Sequence, residues 1–129
     1  MTLALDASAL IAHFDDGDTH HEQVRALLMR AIGQQLVASP ITIAEVLVGP
    51  ARTGQLDAAV NALGVLGVGT VDLGHDAPSR LARLRAKTGL KLPDCCVILA
   101  AQSAAAVVVT FDDRLANASR SLSLDVLGV

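Results

Sequence analysis

The chain has no tryptophan, no tyrosine and only two phenylalanines, Phe14 and Phe111, in 129 residues. A protein that binds single strands by stacking bases on exposed rings needs more aromatics than this, so contact with nucleic acid has to rest on phosphate and metal. Its two cysteines, Cys95 and Cys96, are adjacent. Neighbouring residues make a poor intramolecular disulfide, which fits a reducing compartment and a packing role for both thiols. No apolar run approaches the roughly 18 residues of a membrane span, and the first residues pass directly into a strand pattern with no basic segment ahead of them. A cytoplasmic protein is expected. A strong basic excess is also missing, for the formal net charge is −3. That argues against a non-specific nucleic-acid binder.

What is present is apolar and aliphatic. A hydrophobic content of 52 % over this length suffices for one continuous core, and a single domain spanning 1–129 is expected. Half of the ten cations (Arg80, Arg83, Arg85, Lys87 and Lys91) fall in one short stretch, either a solvated helix face or a local basic surface.

Periodicity divides the chain into alternating elements. Thr2 to Leu5 reads as a buried strand and Ala7 to Phe14 as a helix. Thr19 to Glu22 has the form of a capping box, followed by Val24, Leu27, Leu28 and Ala31 at helical spacing. Gln35 to Ala38 is a strand, Ser39-Pro40 opens a helix, and Thr53 to Leu66 is helical. A strand follows at Val68 to Leu73, then a helix from Ala77 whose apolar face is Ala77, Leu81 and Leu84. Cys95 to Ala105 is a long uncharged helix, Val107 to Thr110 a strand, Asp113 to Ala118 a short helix and Leu124 to Val126 a final strand. Such alternation predicts an α/β fold, a three-layer α/β/α sandwich around a parallel sheet of about five strands. Gly64, Gly67 and Gly69 follow a helix and precede a strand, the reverse of a dinucleotide-binding turn.

Four carboxylates interrupt otherwise apolar surroundings. Asp6 is the only charged residue before His13, Glu45 the only one between Ser39 and Ala51, and Asp94 the only one from Leu92 to Phe111. Asp112 ends the run Val107 to Phe111. On a helix from Ile41, Glu45 projects from a stripe of Ile41, Ala44 and Val48. Taken singly, each acid has an ordinary explanation: Asp6, Asp94 and Asp112 as N-caps, Glu45 as partner of Thr42 in a capping box. Taken together, they include two at the carboxyl ends of strands, where a parallel sheet gathers side chains into one crevice. Acids converging there repel one another unless a cation compensates. Hard oxygen donors suit Mg²⁺, with Mn²⁺ able to substitute, while the Cys and His spacings of a zinc site are absent. The histidines His13, His20, His21 and His75 show no metal-binding helix spacing and are read as exposed or helix-end residues.

The order and spacing of these motifs resemble the PIN-domain ribonucleases, in particular the toxins of VapBC-type toxin-antitoxin pairs. Leu5-Asp6-Ala7-Ser8-Ala9-Leu10-Ile11 looks like the family's first acid motif, Ile43-Ala44-Glu45-Val46 its second, Leu92-Pro93-Asp94 its third and Thr110-Phe111-Asp112-Asp113-Arg114-Leu115 its fourth. The resemblance covers nearly the whole chain. It implies that Asp6, Glu45, Asp94 and Asp112 bind metal and act in catalysis, with Ser8, Thr110 and Asp113 as polar partners. Either Asp112 or Asp113 fits the fourth position. It further implies an endoribonuclease dependent on one or two Mg²⁺ ions, leaving a 3′-hydroxyl and a 5′-phosphate. A homodimer and a small VapB-type antitoxin partner belong to the same picture. Arg80, Arg83, Lys87 and Arg114 are candidates for contact with the RNA backbone. Two alternatives stay open: a PIN fold that is catalytically silent and only binds partners, and a receiver-like signalling module. A receiver would want an acidic pair after the first strand and a lysine after a late one. Here Asp6 stands alone and no lysine follows Lys91.

Overall fold

A computed structural model describes residues 1–129 as a five-stranded, wholly parallel sheet with seven helices. The strands are β1 (Thr2–Leu5), β2 (Gln35–Ala38), β3 (Val68–Thr70), β4 (Val107–Thr110) and β5 (Val126–Gly128). They lie in the order β3-β2-β1-β4-β5. The helices are α1 (Ala7–Phe14), α2 (His21–Arg30), α3 (Pro40–Arg52), α4 (Leu56–Leu66), α5 (Ala77–Thr88), α6 (Leu92–Ala104) and α7 (Asp113–Ser121).

Alternation along the strands builds the two halves of the core. Leu3 and Leu5 of β1 join Leu10, Val24 and Leu63 beneath α1 to α4, while Ala4 between them faces the other side. There Val108, Ile98, Leu99 and Leu115 pack beneath α5, α6 and α7. These are the two helical layers of the expected sandwich. Every residue of α6 from Cys95 to Ala101 is buried, which is why this stretch carries no amphipathic pattern: it is walled in by β1, α3 and α5. Both cysteines are free and buried.

Several boundaries differ from those read in the sequence. Thr19 caps nothing: His20 occupies the N-cap of α2 without a side-chain bond, and it is Asp18 that accepts the His20 N–H, at 2.8 Å. Thr53 closes α3 and does not open α4. β3 stops at Thr70, α7 runs three residues further than expected, and β5 lies two residues later, at Val126–Gly128. In α6 the helix begins at Leu92, with Pro93 in its first turn, so Asp94 lies inside the helix and not ahead of it. Proline is tolerated there because the first N–H groups have no partner within the helix.

In the strand order the chain leaves β1 on one side for β2 and later returns to its other side for β4. The reversal opens a crevice beyond the carboxyl ends of these two central strands, the usual position of ligand sites in open parallel sheets.

Candidate active site

Asp6 follows β1 directly and is only 4 % exposed. It is the N-cap of α1, accepting the Ala9 N–H at 2.9 Å, because a short acceptor just before a helix satisfies an orphan donor of the first turn. Its carboxylate also accepts the Ser8 hydroxyl, 2.7 and 2.9 Å from its two oxygens, and the Thr110 hydroxyl at 2.5 Å. Both hydroxyls are shared with the neighbouring loop. Ser8 Oγ accepts the Phe111 N–H at 3.2 Å, and Thr110 Oγ1 accepts the Asp112 N–H at 3.0 Å. The ends of β1 and β4 are thereby tied into one polar unit, with the Ser8 and Thr110 hydroxyls both donating to Asp6.

Asp112 repeats the device on α7, where it is the N-cap and accepts the Leu115 N–H at 3.0 Å. Asp94 sits in the first turn of α6 and Glu45 in the second turn of α3. Since α6 feeds β4 at the amino edge of the sheet, its own beginning lies at the carboxyl edge, near the ends of β1 and β4. Four acids from four distant parts of the chain therefore meet at one edge.

Their electrostatics record that meeting. Burial pushes the Asp6 carboxyl above its ordinary range against the pull of its hydrogen bonds, with the Asp112 charge adding to the rise. Asp94 is raised by burial and then by Asp112, Asp6 and Glu45 together; the Arg114 guanidinium alone opposes this. Glu45 is raised by burial and by Asp6. Of the pair, Asp112 and not Asp113 is among the charges that raise Asp6 and Asp94. None of the four forms a salt bridge, the only ion pairs being His20 with Asp18 and Arg25 with Glu22.

Two expectations need correction. The stripe of Ile41, Ala44 and Val48 around Glu45 is exposed, and α3 turns Thr42, Ile43, Val46 and Leu47 inward instead. Glu45 is thus a surface residue that senses the site, and no capping box with Thr42 exists, since the Thr42 hydroxyl is buried without a partner. Of the basic candidates, Arg114 alone acts on an acid of the group. Lys87 shares a shallow groove with Arg114, Thr88 and Asn117, whereas Arg80 and Arg83 neither line that groove nor perturb the acids. Arg85 closes the turn between α5 and α6 by donating to Leu90 O at 2.9 Å.

The donor set suits a hard divalent cation: four carboxylates, mutually repelling, without a lysine or arginine pairing to neutralise them. As they stand, no three acid, histidine or cysteine side chains are arranged to hold one ion. Asp6 and Asp112 spend acceptor oxygens on their own helix ends and hydroxyl neighbours. The residues fit by chemistry and by unbalanced charge, and side-chain rotation would have to complete the coordination.

A family model described as PIN domain matches residues 3–121. The chain belongs to the PIN domain family. This PIN domain is similar to a toxin-antitoxin complex from Klebsiella pneumoniae, with 27 % identity over 85 % of this chain and 86 % of that one, at a TM-score of 0.68. The same fold is found in VapBC-1 from nontypeable Haemophilus influenzae (20 % identity, 98 % and 97 % covered, TM-score 0.72). It recurs in VapC20 of Mycobacterium tuberculosis, a sarcin-ricin loop cleaving toxin (16 % identity, 90 % and 94 % covered, TM-score 0.72). Comparison with curated proteins finds no match. No helix of this PIN domain is long and apolar enough to cross a membrane.

Proposed function

We propose that this protein is a metal-dependent endoribonuclease that hydrolyses RNA phosphodiester bonds, and that it is the toxin of a toxin-antitoxin pair. The observation that carries the reading is that Asp6, Glu45, Asp94 and Asp112 act on one another's charge, with no salt bridge to any of them and Arg114 the one cation that offsets any of their repulsion. A structural role would not require unpaired acids to raise one another. A ligand that brings positive charge would. Membership of the PIN domain family and the likeness to toxin-antitoxin structures support the choice of nucleic acid as substrate.

In this reading Asp6, Glu45, Asp94 and Asp112 would hold Mg²⁺ between them. Such an ion, when bound, would lower the pKa of a water and neutralise charge on the phosphate. Ser8 and Thr110 keep the Asp6 carboxylate oriented by donating to it. Arg114, beside the acids, and Lys87, along the same groove, attract the phosphate backbone and hold the strand over the site. Asp113 has no part in the chemistry.

For the antitoxin, the fitting surface is an apolar groove of about 420 Å³ between α1, α3 and α4, lined by Ile11, Phe14, Val46, Pro50, Ala59 and Leu63. Ile11 and Phe14 are 43 % and 44 % exposed there. An amphipathic helix laid in such a groove would bury its apolar face. Ile41 and Val48, exposed on α3, offer the surface for a homodimer.

The test is cleavage of single-stranded RNA by the purified protein with Mg²⁺, with EDTA, and with Asp94→Asn. Cleavage should stop in EDTA, return with Mg²⁺ or Mn²⁺, and fall by orders of magnitude in the variant. An unchanged rate in the variant removes Asp94 from the mechanism, and a rate indifferent to EDTA removes the metal.

A further inference from the structure

One pair of rings beside the acids is left without a role by the reading above. His20, at the start of α2, lies flat on Phe111, with ring centroids 4.5 Å apart and planes 8° from parallel. The other ring pair of the molecule, His13 with Phe14, meets edge-on at 79°, so the flat stack is a particular arrangement and not the habit of this fold. Phe111 stands between Thr110, which holds Asp6, and Asp112. Its N–H is bonded to Ser8 Oγ, the hydroxyl that also holds Asp6. The backbone that carries the ring is therefore tied to Asp6 through Ser8 and Thr110.

Phe111 is also backed. Gly128 of β5 comes so close that a Cβ there would lie 3.4 Å from the Phe111 ring. His20 is held from the other end, its backbone N–H donating to Asp18 Oδ1 at 2.8 Å and its ring nitrogen Nδ1 lying 3.7 Å from the same oxygen. Yet the His20 side chain makes no cap bond for α2 and remains 43 % exposed. A planar stack of this kind, partly exposed and next in the chain to Asp112, is what base-stacking sites provide. The scarcity of aromatics points away from base stacking, but the fold joins one of the two phenylalanines to a histidine, so that a single platform exists where the sequence leads one to expect none.

We propose that His20 and Phe111 form a nucleobase shelf: a base of single-stranded RNA stacks on the open side of His20 while a neighbouring phosphate lies over the acids. This deepens the ribonuclease reading and rests on it. The shelf sets which nucleotide sits next to the cut, since stacking strength and fit differ between purines and pyrimidines.

The probe is a short single-stranded 2′-O-methyl oligoribonucleotide, resistant to hydrolysis, with 2-aminopurine placed at each position in turn and mixed with the intact protein and Mg²⁺. Wild type should quench the fluorophore at one position. His20→Ala should lose that quenching and bind about tenfold more weakly, the scale of one lost stacked base. His20→Phe should retain both, and an abasic residue at the quenched position should erase the difference between wild type and His20→Ala. Quenching and affinity unaffected by His20→Ala, or no quenching at any position, overturns the shelf. Cleavage of unmodified RNA in parallel separates the two ideas. Wild type that quenches without cutting contradicts the nuclease and leaves the shelf standing. Cutting with kcat and KM unmoved by His20→Ala does the reverse.

Discussion

Asp94→Asn should make the metal-free protein more stable while abolishing its use of metal. Asp94 lies in the first turn of α6, where the helix dipole favours a negative charge by about 0.3–1 kcal/mol. Against that benefit stand burial and three like charges, Asp112, Asp6 and Glu45, opposed only by Arg114. Because the balance raises the carboxyl's pKa on folding, its ionisation costs stability. The cost is absent below the unfolded-state value and complete above the folded one, so it grows as pH rises toward neutrality. The isosteric amide removes it. Removing an unfavourably placed charge commonly gains about 0.5–2 kcal/mol, which corresponds to a melting temperature higher by roughly 2–8 °C for a domain of this size.

Calorimetry of both proteins in EDTA, from acid to neutral pH, measures the effect. The curves should converge at low pH and separate as pH rises. Saturating Mg²⁺ should then reverse the order, since a ligand at a hundred times its Kd stabilises the binding-competent protein by about 2.7 kcal/mol. If Asp94→Asn melts below wild type in EDTA at neutral pH, Asp94 is an ordinary helix-start acid and the repulsion argument fails.

Three further outcomes follow from the same geometry. Thr110→Val keeps the shape but deletes the donor to Asp6 and the acceptor for the Asp112 N–H; it should cost about 1.5–3 kcal/mol in denaturant unfolding and drive the Asp6 carboxyl still higher, shifting the acid limb of the pH–rate profile upward. Arg114→Ala should raise KM for RNA several-fold and reduce the salt slope of binding by about one, while Arg80→Ala and Arg83→Ala change both much less; equal effects at all three would contradict the placement of Arg114. Gly128→Ala should destabilise by about 2–4 kcal/mol, because Gly128 has φ of 108° and its new Cβ would lie 2.2 Å from Thr110 O; a melting curve unchanged from wild type would show that the β4 to β5 contact gives way freely.

The fold was legible wherever residues answer to local physics. β1, β2 and β4 are short apolar runs bounded by helix starts, and all three fall where the pattern puts them. Asp6, Ser39 and Asp112 are side-chain caps that any chain with these residues before a helix would form. The misreadings share a different cause. Thr19 and Glu22 have the right spacing for a capping box, but Asp18 reaches the same turn first and shifts the helix start by one residue. β5 pairs where β4 needs a partner, at Val126–Gly128, and the more apolar Leu124 stays outside. The stripe around Glu45 has helical period but faces outward, since period fixes which residues share a face and not which face is covered.

For the site, each acid was conspicuous because a lone charge in an apolar stretch is conspicuous. Their convergence was not readable from spacing alone, because it depends on the strand order that puts β1 beside β4. Local sequence could not choose between Asp112 and Asp113 either; in the fold it is Asp112 that caps α7 and whose charge acts on Asp94. The pairing of His20 with Phe111 joins residues 91 positions apart in sequence, and no local signal announces it.

If these carboxylates are held together by a divalent cation, direct Mn²⁺ titration followed by electron paramagnetic resonance will detect it apart from any activity. Wild type should take up one or two ions per chain, and Asp94→Asn should bind them at least tenfold more weakly. Wild type that leaves Mn²⁺ free in solution, or a variant that binds it as tightly, would contradict the account.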